Sequence, residues 1–225
     1  MSSAPAPQPV VVLISGRGSN MRALVERSRE PAQPYRIALV LSDKPAAAGL
    51  SIARDLGVAS RALPAGASAD RVSDDRALAA AIDECAPSLI VLAGFMRILS
   101  PEFVARYAGR ILNIHPSLLP KYPGLHTHRQ VLAAHDPVHG ATVHFVTPEL
   151  DAGPPIIQAQ VKVYPDDDEA TLAARVRAQE HKIYPLAVSW YCQGRLRCRD
   201  GRAWLDGAAL AAPVLYDATD PPRGY

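Results

Sequence analysis

The chain has few cysteines, no long apolar run and no excess of charge of one sign, and each absence argues against a class of protein. Its three cysteines, Cys85, Cys192 and Cys198, are odd in number and lack Cys-x-x-Cys spacing, which fits a reducing cytosol better than a disulfide scaffold or a zinc ribbon. No stretch reaches the ~18 apolar residues of a membrane span, and residues 1–9 lack the basic-then-apolar order of a secretory signal. We therefore expect a cytoplasmic protein without a membrane partner.

Positive and negative side chains are nearly balanced, with 24 Lys and Arg against 22 Asp and Glu in 225 residues. No segment concentrates basic residues as a nucleic-acid groove would, so we expect no nucleic-acid partner. Hydrophobic residues make up 48% of the chain and charged residues 20%, which is ordinary for a protein with a hydrophobic core. The length favours one sizeable domain over two small ones.

Strand and helix patterns alternate along the first half of the chain. An apolar, β-branched run beginning at Val10 is followed by the glycine-containing segment 16–20 and a helical pattern to about Arg29. A strand over 36–42, helices over 49–56 and 70–85, and a continuous apolar strand over 89–94 come next. Such a continuous apolar run is typical of a strand covered on both faces. The alternation predicts one doubly wound, mostly parallel sheet flanked by helices, a Rossmann-like α/β fold.

The second half continues the pattern and ends in a hairpin. Ser100-Pro101 begins a short helix, and strands are predicted over 111–115, 143–146 and 156–163, with a helix over 127–134. Asp166 and Glu169 resemble a capping box before a long helix to about Gln193. Asp200-Gly201 indicates a hairpin between 196–199 and 202–205. We expect a flexible extension over 1–9, a single domain over 10–207 and a loose tail over 208–225.

The segment Gly16-Arg17-Gly18-Ser19-Asn20 lies between the first strand and the first helix. Glycines let backbone amides turn towards an anion, and the N-terminus of the helix adds partial positive charge. The segment lacks the third glycine of the dinucleotide fingerprint and the Gly-Lys-Ser/Thr ending of a nucleoside-triphosphate loop. It indicates a site for one phosphate monoester, and the alternative is a tight turn without a ligand.

Asn113 and His115 are two residues apart on a predicted strand, so their side chains share one side of the sheet. An amide donor beside an imidazole suits a reaction that creates an oxyanion and moves a proton. The alternative is a buried, hydrogen-bonded pair. Asp151 precedes Ala152-Gly153 and is either a turn residue or, if the turn folds back on His115, a carboxylate that favours the imidazolium form.

Six histidines lie within 30 residues, and an apolar segment follows the fourth predicted strand. The histidines have neither a partner cysteine nor the His-Glu-x-x-His pattern, so we expect no metal; they are His115, His126, His128, His135, His139 and His144. The segment Met96-Arg97-Ile98-Leu99 could receive a flat heteroaromatic ligand or could simply belong to the core.

Taken together, these motifs resemble those of the phosphoribosylglycinamide formyltransferase family, folate-dependent enzymes of purine biosynthesis. The motifs are residues 16–20, 92–99, 113–120 and 140–153, and the resemblance spans about residues 10–205. It implies transfer of a formyl group from 10-formyltetrahydrofolate, as co-substrate, to the amine of glycinamide ribonucleotide, without a metal, by a monomer or a homodimer. The resemblance also implies a direct attack through a tetrahedral intermediate.

The resemblance implies three groups of site residues. The catalytic residues are Asn113, His115 and Asp151. The residues for glycinamide ribonucleotide are Gly18, Ser19, Asn20, Arg177, Ala178, Gln179 and Glu180, with Glu180 meeting the amine. The residues for the folate are Arg71, Met96, Arg97, Ile98, Leu99, Asn113, Thr147, Pro148, Glu149, Leu150 and Asp151. The alternatives are a 10-formyltetrahydrofolate hydrolase and a non-catalytic binder of folate or sugar phosphate.

Overall fold

The computed structural model describes residues 6–64, 66 and 71–217. The first half contains β1 (Gln8–Ile14), α1 (Ser19–Ser28), β2 (Tyr35–Ser42), α2 (Ala48–Asp55), β3 (Ser60–Ala62), α3 (Arg71–Asp83), β4 (Leu89–Leu92) and α4 (Pro101–Arg106). The second half contains β5 (Ile111–His115), α5 (Thr127–Ala133), β6 (Val138–Phe145), β7 (Pro155–Lys162), α6 (Glu169–Cys192), β8 (Leu196–Arg199), β9 (Arg202–Leu205), β10 (Ala208–Ala209) and β11 (Val214–Leu215).

Eight of these strands form one sheet in the order β11-β7-β6-β5-β4-β1-β2-β3. From β3 to β5 the strands are parallel, β6 is antiparallel to both β5 and β7, and β11 is parallel to β7. Residues 10–14 of β1 and all of β4 are buried, as expected of strands covered on both faces. The predicted doubly wound, mostly parallel sheet is confirmed.

The strand order reverses at β1, whose neighbours are β2 on one side and β4 on the other. Crevices form outside the carboxyl ends of the strands at such a reversal, because successive connections leave on opposite faces of the sheet. The segment after β1, the segment after β4 and the end of β5 therefore lie at the same edge. Within the described residues, no helix has the length and apolarity needed to cross a membrane.

The C-terminal part differs from expectation in one respect. The predicted hairpin is present, with Leu196 opposite Leu205 and Arg199 opposite Arg202. The expectation of a loose tail is wrong for residues 208–215, because β10 pairs with β9 and β11 pairs with β7.

At the other end of the chain, the first strand begins at Gln8, inside the predicted extension. Residues 1–5 and 218–225 lie outside the described residues.

Helix α6 crosses the sheet and ties two of its strands together. Its N-cap is Asp168, whose carboxylate accepts a hydrogen bond from the Thr171 backbone N–H at 2.7 Å, so the predicted capping box at Asp166 is wrong. Further along, the hydroxyl of the fully buried Tyr184 lies 2.8 Å from the carbonyl oxygen of Leu92 in β4 and 3.0 Å from that of Leu112 in β5. The helix is therefore fixed to the two strands that lead to the site.

Candidate active site

The glycine segment between β1 and α1 packs against the start of α2. Gly18 is the N-cap of α1 and has a φ of 74°, in the left-handed region that favours glycine. A Cβ at Gly18 would lie 2.8 Å from the Cα of Gly49, and the Gly49 N–H donates to the Gly16 carbonyl at 2.9 Å. The close packing leaves the first amides of α1 at the end of the segment, an arrangement that suits an anion.

A carboxylate from α6 meets this glycine segment. The Asn20 side-chain amide donates to Glu180 Oε2 at 2.8 Å, across 160 residues of sequence. Glu180 is 8% exposed, and burial raises the pKa of its carboxyl, while the hydrogen bond from Asn20 and the charge of Arg177 oppose that rise. Asn20 Oδ1 is buried and has no protein partner among the described residues. The predicted anion segment and the predicted amine-binding carboxylate are thus adjacent.

A cleft of about 490 Å³ lies beside the end of β5. Four chain segments line it: residues 94–99, 113–116, 124–128 and 146–151. All three predicted catalytic residues line this cleft, as do ten of the eleven predicted folate residues: Met96, Arg97, Ile98, Leu99, Thr147, Pro148, Glu149, Leu150 and, shared with the catalytic set, Asn113 and Asp151. Its size is typical of a site for a small organic ligand.

His115 and Asp151 lie next to each other, as the second reading of Asp151 predicts. His115 Nδ1 is 3.3 Å from Asp151 Oδ2, and both side chains are 6% exposed. His115 Nε2 donates to the Tyr122 backbone carbonyl at 2.8 Å, and the Gly124 N–H donates to Asp151 Oδ2 at 2.9 Å. Both ring nitrogens of His115 therefore face oxygen atoms.

Asn113 is held by a histidine on the neighbouring strand. Its partner in the antiparallel register of β5 and β6 is His144, and Asn113 Nδ2 lies 3.1 Å from His144 Nε2. His144 Nδ1 donates to the Phe145 carbonyl at 2.9 Å, which leaves Nε2 as the acceptor for the Asn113 amide. Burial lowers the pKa of His144 and favours this neutral form. Sequence reasoning counted His144 among the crowded histidines but missed this contact, because it depends on the strand register.

The segment after β4 presents alternate residues to the cleft. Met96 is 64% exposed and Ile98 is 57% exposed, whereas Leu99 is buried. The Arg97 side chain points away from solvent, with Nη2 at 2.6 Å from the carboxylate of Asp75 in α3. A folate in the cleft would therefore meet the backbone of Arg97 rather than its guanidinium. Asp75 carries no sequence signal beyond its place in a helical pattern.

The remaining predicted residues are less closely grouped. Arg71 begins α3, and its side chain lies outside the described residues. Arg177 and Ala178 are exposed on α6 and Gln179 is half-buried, and the three residues immediately precede Glu180. The charge of Arg177 lowers the pKa of the Glu180 carboxyl, against the effect of burial.

The histidines do not form a metal site among the residues that the structure describes, where no three His, Cys, Asp or Glu side chains are grouped to hold an ion. His126 and His128 line the cleft. His128 Nδ1 lies 3.0 Å from Nε2 of the buried His139. Burial, followed by the charge of His128, lowers the pKa of His139 to about 4.

Comparisons with known proteins gave matches over most of the chain. The family model described as Formyl transferase matches residues 8–188. Phosphoribosylglycinamide formyltransferase of Escherichia coli (strain K12) is 52% identical over 216 residues, which cover 96% of this chain and 97% of that protein. The phosphoribosylglycinamide formyltransferase structure from Coxiella burnetii matches with a TM-score of 0.90 at 43% identity, over 94% of this chain and 100% of that one. Formyltetrahydrofolate deformylase from Burkholderia mallei matches with a TM-score of 0.80 at 28% identity, over 89% of this chain and 70% of that one.

Proposed function

The chain belongs to the formyl transferase family and is a formyltransferase enzyme, and from that premise we propose that it transfers the formyl group of 10-formyltetrahydrofolate to the amine of glycinamide ribonucleotide in purine biosynthesis. The observation that carries the proposal is the 3.3 Å contact of His115 and Asp151 beside Asn113 in one cleft. We also propose that residues 10–207, together with the paired strands β10 and β11, act as one catalytic domain, in the cytoplasm, as a monomer or a homodimer.

Glycinamide ribonucleotide binds where the glycine segment meets α6. Its phosphate accepts hydrogen bonds from the backbone amides of Gly18, Ser19 and Asn20 at the start of α1, where the helix dipole favours negative charge. Its amine lies at the Glu180 carboxylate, which the Asn20 amide orients from 2.8 Å away. Arg177, Ala178 and Gln179 contact other parts of this substrate.

The folate occupies the cleft between the segment after β4 and the segment after β6. Its flat ring lies against the backbone of residues 96–99, with Met96 and Ile98 as apolar walls. Residues 147–151 form the opposite wall. This orientation brings the formyl group towards Asn113 at the end of β5.

The reaction is a direct acyl transfer. The neutral amine nitrogen attacks the formyl carbon, the carbonyl electrons move to oxygen, and a tetrahedral intermediate forms. The Asn113 side-chain amide has two N–H groups. One is bonded to His144 Nε2, and the other donates to the developing oxyanion. The intermediate collapses when the bond to the folate nitrogen breaks. The departing folate nitrogen takes up one proton and the attacking nitrogen gives up one, which replaces the proton that His115 supplies.

His115 supplies positive charge and a proton in this sequence. Asp151 at Nδ1 stabilises the imidazolium, which strengthens the field at the oxyanion. His115 Nε2 donates its proton to the Tyr122 carbonyl at 2.8 Å. We expect the reacting groups to replace that carbonyl, so that the proton moves towards the leaving nitrogen.

Turnover with both substrates tests the proposal. We expect formylated product with glycinamide ribonucleotide present, and a fall of at least about a hundredfold in turnover for Asn113→Ala and for His115→Ala. The exposed His135, at a φ of 52°, provides a control as His135→Asn, because Asn tolerates that backbone conformation. Circular dichroism of each variant checks that the fold is unchanged.

A hydrolase is the second candidate, because the structure of the Burkholderia mallei deformylase shares the fold. Water would then replace the amine, and formate would be released without glycinamide ribonucleotide. Formate release at the same rate with and without that substrate would contradict the transferase. If the chain bound the folate but gave neither formylated product nor formate, it would be a non-catalytic binder.

A further inference from the structure

Two carboxylates hold the irregular segment between β4 and α4 that lines the folate side of the cleft. Near its start, the Met96 N–H donates to Ser15 Oγ at 2.8 Å, and the Ser15 hydroxyl donates to Asp43 Oδ1 at 2.5 Å. At its end, the Ser100 N–H donates to Asp75 Oδ2 at 2.7 Å. The four residues between these points, 96–99, are therefore fixed from both sides.

Asp75 makes a second contact with the same segment. Its Oδ1 lies 2.6 Å from Arg97 Nη2, and the side chains of Asp75 and Arg97 are only 3% and 12% exposed. The Arg97 guanidinium also lies over the Phe95 ring, 5.6 Å from its centroid. Hydrogen bonds between charged groups are the stronger kind, and both oxygens of this carboxylate are used. One side chain of α3 thus fixes two points that are three residues apart.

The direction of Arg97 decides what the segment presents to the cleft. Arg97 turns inward to Asp75, whereas the residues on either side of it are exposed. With Arg97 held inward by Asp75, Met96 and Ile98 face outward at 64% and 57% exposure. If Arg97 were released, the segment could rotate and remove both apolar side chains and the intervening backbone groups from the cleft wall.

We propose that Asp75 is a positioning residue for folate recognition, acting through Arg97 and the Ser100 N–H to hold residues 96–99 in the conformation that receives the ring of the folate. The inference rests on the proposed function, because it takes the folate as the occupant of this cleft. A segment fixed before binding does not lose freedom on binding, so the anchor contributes to folate affinity without touching the folate. The hydrogen bonds of Asp75 go to Arg97 and Ser100, and neither belongs to the proposed site for glycinamide ribonucleotide.

The test compares Asp75→Asn with Asp83→Asn. Asp83 lies on the same helix, and it also links α3 to α4, through Arg106 and through the Tyr107 hydroxyl at 2.8 Å, but away from the cleft. We expect Asp75→Asn to raise the KM for 10-formyltetrahydrofolate, and the Kd of a folate analogue, by about tenfold or more, because small misplacements in a site are costly. The KM for glycinamide ribonucleotide should stay within about twofold, and Asp83→Asn should leave both unchanged.

A second variant keeps the inference testable if Asp75→Asn fails to fold because Arg97 is left as a buried, unpaired cation. Asp75→Asn combined with Arg97→Met removes both charges, and we expect the same folate-specific loss. Normal affinity of the folded double variant for the folate analogue, or an equal rise in the two KM values, would overturn the inference and leave the proposed function intact. Failure of the unaltered chain to bind the analogue would overturn both.

Discussion

Replacing His144 by Phe tests how much the orientation of the Asn113 amide matters, because the amide itself stays in place. The ring volume is kept, but the acceptor 3.1 Å from Asn113 Nδ2 is lost, as is the donor to the Phe145 carbonyl. A net hydrogen bond contributes about 1 kcal/mol, which corresponds to about a fivefold change in the population of the oriented amide. We therefore expect His144→Phe to lower kcat by about three- to tenfold, far less than the hundredfold or more expected for Asn113→Ala.

A double-mutant cycle on kcat tests this reasoning. If His144 acts only by orienting the Asn113 amide, adding His144→Phe to Asn113→Ala has no further effect on the rate. An undiminished three- to tenfold effect in the Asn113→Ala background would refute the orienting role. The lost donor to the Phe145 carbonyl costs about 1–3 kcal/mol of stability, so rates must be compared where urea unfolding shows every variant to be folded.

Three further predictions concern the glycine segment, a buried histidine and the catalytic pair. Gly18→Ala combines a φ of 74° with a 2.8 Å contact to backbone, so it should lower the free energy of unfolding by about 2–4 kcal/mol and raise the KM for glycinamide ribonucleotide. Gly16→Ala, whose Cβ meets nothing within 4 Å, is the matched control, and equal behaviour of the two would contradict the prediction. The pKa of His139 is lowered from 6.5 to about 4, so the unfolded chain takes up this proton first on acidification. Stability should therefore be full above pH 6.5 and fall towards pH 4, by at most about 1.4 kcal/mol per pH unit, and urea unfolding of His139→Gln should show a flatter dependence. Asp151→Asn keeps the shape of the side chain but removes the negative charge 3.3 Å from His115 Nδ1, so it should lower turnover by about a hundredfold, and unchanged turnover would argue against the role of the pair.

Much of the architecture follows from local signals in the sequence. Strand β5 was predicted with its observed bounds, because its apolar residues alternate with Asn113 and His115 and it stops at Pro116. The hairpin of β8 and β9 follows from Asp200-Gly201. Strand β3 was missed, because its three half-buried residues include Arg61 and show no alternation.

The contacts that complete the site could not be predicted from local sequence patterns. The hydrogen bond of Asn20 to Glu180 joins residues 160 apart, and the Asp75 contact with Arg97 joins a helix to a segment 22 residues later. Pairing of β11 with β7 similarly depends on a partner far along the chain, since two residues do not form a recognisable strand pattern. Alternation along one strand places Asn113 and His115 on one side, but only the assembled sheet brings Asp151 to them.

Helix α6 connects the proposed sites of the two substrates. Its Tyr184 hydroxyl is bound to the strands that lead to the cleft, and Glu180, the residue we propose for the amine, lies one helical turn earlier. A small tilt of this helix would therefore displace the nucleophile and the electrophile together, so that the separation between them changes less than the position of either.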